Sequence, residues 1–136
     1  DVNDRQGQEP CPCGSGAVLV ACCGPYLAGH TWPETAEALM RSRYTAYALG
    51  DAHWLRETWH PATRRMDMGI DPEVRWLGLE VLATEGGGRE DTQGVVEFVA
   101  RYKVGGRAHR LRERSRFRRR DGRWLYVTGD APDAGR

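Results

Sequence analysis

The spacing of apolar and polar positions changes once along the chain, near residue 73. Before it, Ala36, Leu39, Met40, Arg43, Tyr44, Tyr47 and Ala48 recur at intervals of three and four, which predicts a helix with one inward stripe. Thr31 and Glu34 have the spacing of a capping box, with Trp32 and Pro33 in the first turn, and Gly50 stands where a helix ends. Asp51 is placed to cap a shorter helix carrying Trp54, Leu55, Thr58 and Trp59, which Pro61 stops. Beyond residue 73 the period becomes two. Residues 74–84, 92–104 and 109–119 read as strands, and 123–128 follows the turn at Asp121-Gly122. Gly86-Gly87-Gly88 and Gly105-Gly106 supply the other connections. Helices followed by an antiparallel meander predict an α+β fold.

The third strand carries Arg110, Arg112, Arg114, Arg116 and Arg118 on one face and His109, Leu111, Glu113, Ser115 and Phe117 on the other. Alternation puts the arginines in solvent and the second set toward the core. Val96, Phe98, Ala100 and Tyr102 of the second strand share that core, while Glu97, Arg101 and Glu80 belong to the outer surface. Glu113 is then a carboxylate facing inward, where it needs a partner. Arg43, on the inward stripe of the first helix, is the expected one.

Charge sharpens this picture. Of 136 residues 29% are charged and 40% hydrophobic, with a net charge of +1, ordinary values for one globular domain. Segment 101–123, however, holds eleven basic and two acidic residues, whereas residues 1–100 hold eight basic and fifteen acidic ones. No stretch approaches a membrane span, and the polar, acidic start does not read as a secretion signal, so a cytoplasmic protein is expected.

All four cysteines lie in CPCGSGAVLVACCG, as C-x-C-x8-C-C. Four thiolates so close together suit a closed tetrahedral zinc site, which leaves no open coordination position and is structural rather than catalytic. Cys11, Cys13, Cys22 and Cys23 are the candidate ligands, for one ion. Two disulfides or four free thiols are the competing uses. The missing secretion signal argues against the first, and the crowding of thiols in a glycine-rich loop against the second.

CPCGSG (11–16), CCGPY (22–26), MRSRY (40–44), TWHP (58–61), WLGL (76–79), ERSRF (113–117) and GRWLYVTG (122–129) occur in an order and spacing that resemble YchJ-type proteins. These are small bacterial proteins joining a SEC-C zinc motif to a domain like nuclear transport factor 2. The resemblance implies a zinc knuckle over residues 1–30 and a cone-like α+β domain over 31–130, a curved antiparallel sheet packed on N-terminal helices, with the four cysteines binding zinc. It implies no settled activity. The chain departs from the pattern in two places: Ala17–Ala21 lacks the basic residues common between the cysteine pairs, and the ending APDAGR carries no second SEC-C copy.

Three functions follow from these features. A binding or adaptor module would use the zinc knuckle and its apolar loop (Val18, Leu19, Val20) to engage a protein partner. A small-ligand binder or isomerase- or dehydratase-like enzyme would use the cone interior, with Glu113, Arg43, Tyr44, His60 and Ser115 as pocket candidates and Tyr44, Trp59, Trp124 and Tyr126 as walls. No complete catalytic set is evident. A nucleic-acid or ribosome-associated protein would use the arginine strand, which Glu80 and Glu97 partly neutralise, and a homodimer through the sheet face is the remaining use of that surface.

Overall fold

The computed structural model describes residues 7–131; the acidic start, 1–6, and the end, 132–136, lie outside the described residues. After a 3-10 turn at Leu19–Ala21 come helices α1 (Gly24–Leu27), α2 (Ala36–Leu49) and α3 (Ala52–Glu57), then strands β1 (Arg75–Gly86), β2 (Gln93–Val104), β3 (Arg107–Arg120) and β4 (Arg123–Asp130). The four strands form one antiparallel sheet in the order β1-β2-β3-β4. This is the expected α+β meander.

Helix α2 begins later than the Thr31/Glu34 box predicts. Its cap is Thr35, whose hydroxyl accepts from the Ala38 N–H at 3.1 Å. Tertiary bonds hold the preceding residues extended: the Trp32 indole donates to the Trp124 carbonyl (3.0 Å), and the Trp124 indole donates to the Glu34 carbonyl (3.0 Å). Gly50 ends α2 in the left-handed region (φ 78°), and the Asp51 side chain accepts from the Trp54 N–H, both as expected.

The core lies between α2, α3 and the inner face of the sheet, with Leu39, Leu55, Val96, Trp54 and Trp124 fully buried. The N-terminus of α2 meets the β1–β2 hairpin at very short range. The Ala36 N–H donates to the Gly87 carbonyl (2.9 Å), and a Cβ on Gly94 would stand 2.5 Å from the Gly87 Cα. Only glycines permit this approach. Two register shifts in β1, at Leu77 and Leu82, leave those leucines exposed on the outer face, while Trp76, Leu79 and Val81 pack inward.

On the outer face Glu97 accepts from both Arg112 and Arg114, and Arg114 also reaches Glu85 (2.9 Å). These cations hold the Glu97 carboxyl below its ordinary range. Glu85, rather than the expected Glu80, is therefore the second acid in this network: the shift at Leu82 puts Glu85 opposite Val95, beside the arginine rows. Arg119 is engaged elsewhere. It stacks on Trp124 (4.8 Å) and donates to the carbonyls of Asp91 and Arg89, clamping the β1–β2 loop. His109 lies beyond the core, exposed and stacked on Tyr102 (5.2 Å between centroids).

Candidate functional site

Two features converge on helix α2. The first is the cysteine cluster. Pro10 and Val18 form an isolated antiparallel bridge, and the Cys11 N–H donates to Ala17 O (2.9 Å), so residues 10–18 fold into a tight hairpin. Gly14 and Gly16 take φ of 77° and 92° there, which suits glycine. The turn at Leu19–Ala21 then returns the chain, so that all four Sγ atoms lie within 4.8 Å of one another, Cys11, Cys13 and Cys23 buried and Cys22 half-buried. No sulfur is bonded to another; Cys13 and Cys22 are 3.5 Å apart and Cys22 and Cys23 4.0 Å.

A tetrahedron of ~2.3 Å metal–sulfur bonds has edges of about 3.8 Å, so the cluster is the right size for a metal ion held by four thiolates. Hydroxyls support the sulfurs, Ser15 at 3.0 Å from Cys22 and Thr45 at 3.6 Å from Cys11. Sulfur hydrogen bonds from Cys13 and Cys23 push the Cys11 thiol down, whereas the same crowding pushes Cys23 up. The knuckle is docked on the domain. Arg41 of α2 donates to the Cys13 carbonyl (2.8 Å) while pairing with Glu37 (3.0 Å), and Leu19, Leu27 and Leu79 pack around the sulfurs. Of the apolar loop only Val20 stands well exposed, at 54%; Leu19 is turned inward.

The second feature is a cavity of about 280 Å³ between α2 and the inner face of the sheet. Arg41 and Thr45 turn toward the knuckle. Met40, Arg43, Tyr44 and Tyr47, one helical stripe away, line the cavity. Its apolar wall adds Trp76, Phe98, Leu111 and Phe117, and its polar end adds Glu113, Ser115 and Tyr126.

Of the sequence candidates, Arg43, Tyr44, Glu113 and Ser115 are thus brought together. His60 lies outside the cavity, where its Nδ1 accepts from the Ala62 N–H (3.0 Å) in the turn after α3. Tyr126 is a wall as expected; Trp124 is sealed in the core, and Trp59 packs behind Tyr126 at 5.3 Å. Tyr47 and Trp76 are walls that the sequence reading missed. Tyr47 stands four residues after Arg43, a spacing that was enough to find it.

No ion pair joins Arg43 to Glu113 among the described residues. Arg43 Nη1 donates instead to the Leu55 carbonyl (2.9 Å) and Thr58 Oγ1 (2.6 Å), because the end of α3 lies closer to it than β3 does. The guanidinium covers the Tyr126 ring at 4.4 Å. Burial lowers its pKa to about 10, which keeps it charged at neutral pH. Without a direct cationic partner, the Glu113 carboxyl is raised by burial rather than lowered, although the Ser115 hydroxyl donates to it (2.9 Å) and Arg43 acts on it from a distance. Burial likewise lifts the Tyr44 and Tyr126 hydroxyls to about 12, so both are neutral donors. Among the described residues, no helix is long and apolar enough to cross a membrane.

Two family models match the chain: the SEC-C motif over residues 9–25 and the YchJ middle domain, NTF2-like, over residues 35–129. A UPF0225 protein of Chromobacterium violaceum is 55% identical over 129 residues, covering 92% of this chain and 95% of the relative. Another, from Streptomyces coelicolor, is 49% identical over 124 residues, covering 91% and 97%. The solution structure of a SEC-C motif containing protein from Rhodopseudomonas palustris superposes with a TM-score of 0.81 at 41% identity, over 90% of this chain and 98% of that one. The crystal structure of a SEC-C motif containing protein from Psychrobacter arcticus gives 0.78 at 26% identity, over 97% and 86%.

Proposed function

The chain belongs to the UPF0225 family, a SEC-C motif joined to a YchJ-type NTF2-like domain, and from that premise we propose that it is a zinc-stapled binding protein that takes a small ligand into the cavity against α2. The observation that carries this reading is the cavity itself: about 280 Å³ of open space with mostly apolar walls and a few convergent polar groups. An adaptor role through the knuckle draws less support, since the knuckle's contacts are taken up by Arg41, Thr45 and Leu79 and its loop offers Val20 alone.

Zinc is the metal that four thiolates at this separation fit best, and Cys11, Cys13, Cys22 and Cys23 are its proposed ligands. It would supply a cross-link rather than chemistry. Cys11 and Cys13 are tied through Thr45 and Arg41 to α2, so the knuckle fixes the helix whose other stripe carries Arg43, Tyr44 and Tyr47. Glu113, Ser115 and Tyr126 bind or orient the ligand at the polar end, and the apolar wall excludes water.

The test is a fragment screen by amide NMR on the metal-loaded full chain. Saturable shifts confined to Tyr47, Ala100, Ser115 and the Trp76 indole support the reading. Fragments that bind only elsewhere, or not at all, contradict it.

A further inference from the structure

We infer that the ligand is a ring-containing monocarboxylate, its carboxylate held by the Nε–Nη2 edge of Arg43 and its ring by the apolar wall. This rests on the small-ligand reading and names the class of ligand.

Arg43 is only 5% exposed, and a guanidinium removed from water needs its N–H groups satisfied. Both Nη1 protons are used, on Leu55 O and Thr58 Oγ1. The ring of Tyr126 covers the guanidinium face. Nε and Nη2 carry three N–H groups; the Tyr47 hydroxyl stands close enough to the guanidinium to accept from one of them, and the hydrogen bonds among the described residues give the other two no protein partner. They are not sealed either: the one side-chain nitrogen that is both sealed and unpartnered among those residues is the Trp59 Nε1. Arg43 lines the cavity. The Nε–Nη2 edge is one of the two sides on which arginine grips a carboxylate with paired hydrogen bonds. The Nη1 contacts fix the guanidinium, and this side meets the Tyr47 hydroxyl at the cavity wall.

Charge sets the valence. Among the described residues, Arg43 is the only basic one lining the cavity, and Glu113 the only acidic one. One cation can hold at most one negative charge on a ligand. A dianion such as a phosphate monoester would meet the Glu113 carboxyl with no second cation to hold it. Trp76, Phe98 and Phe117 offer flat or edge-on surfaces to a ring, and the volume admits one or two fused rings.

The experiment uses 2-naphthoate, 2-naphthamide and 2-naphthyl phosphate as probes, titrated at pH 7.5 into the metal-loaded full chain and followed by amide NMR. The account expects saturable shifts at Tyr47, Ser115 and the Trp76 indole with the naphthoate, and binding of the amide weaker by about tenfold or more. Arg43→Met should lose the difference between acid and amide. The acid–amide comparison in the wild type needs no variant and stands if Arg43→Met fails to fold. Equal binding of acid and amide overturns the carboxylate assignment while leaving a ligand cavity. Tighter binding of the phosphate overturns the monoanion class. No shift at these positions with any probe overturns both this inference and the small-ligand reading.

Discussion

If the space beneath α2 is a ligand cavity, filling it should not harm the fold. Ala100 lines it from β2 and is 1% exposed, so Ala100→Leu adds three carbons pointing toward the open volume. Each buried carbon is worth about 0.8 kcal/mol, giving roughly 2.4 kcal/mol if all three leave water. Ordering the longer side chain costs about 0.5–1 kcal/mol. At the ~30 Å³ share of a water molecule apiece, the three groups need roughly 90 Å³ of the space, so overpacking is not expected. The variant should be at least as stable as the wild type and up to about 2 kcal/mol more stable. Guanidinium denaturation followed by circular dichroism measures this, with the slope of the transition checked for constancy. The same variant should lose the NMR response to 2-naphthoate. A loss of 1–3 kcal/mol, the usual result of forcing methylenes into a filled core, would refute the cavity.

Three other perturbations probe different parts of the account. Glu113→Gln tests the buried carboxyl, which faces Arg43, Tyr47, Tyr126, Ser115 and Asp130. Because the folded chain keeps its proton above the ordinary value of 4.5, it binds more protons than the unfolded chain in that window, and wild-type stability falls there as pH rises. The variant should gain on the wild type across the same range, measured by denaturation from pH 4.5 to 8, and a gap that moves the other way contradicts the burial argument. Gly94→Ala puts a methyl group 2.5 Å from the Gly87 Cα and 3.1 Å from the Ala36 Cβ, and should cost about 3 kcal/mol in the same assay. Removing the metal with a strong chelator under reducing conditions should lower the melting temperature by roughly 10 °C or more and expose all four thiols to titration, with one zinc released per chain. Thiols that titrate freely beforehand would contradict the zinc assignment.

The alternation of arginines along β3 made the sheet and its two faces readable, because solvent and core impose period two on any strand with one wet side. Turn chemistry at Asp121-Gly122 and Gly105-Gly106 was equally local: these residues adopt positive φ, from 53° to 80°. The start of α2 was not readable, since Thr31 and Thr35 both suit a cap, and bonds to Trp124 ninety residues away decide between them. The cavity was half readable. That Arg43 and Glu113 both face inward follows from helix and strand periodicity. Whether they touch depends on how α3 docks, and there the Leu55 carbonyl and Thr58 hydroxyl take Arg43's Nη1. The cysteine cluster was legible from spacing alone, whereas its attachment to α2 through Arg41 and Thr45 depends on packing between segments distant in sequence.

The most direct measurement is the position of 2-naphthoate in a crystal of the zinc-loaded chain. The account predicts density beneath α2, with the carboxylate on Arg43 Nε and Nη2 and the ring against Trp76 and Phe98. Density only on the outer face of the sheet, or a cavity left without the probe at saturating concentration, would contradict it.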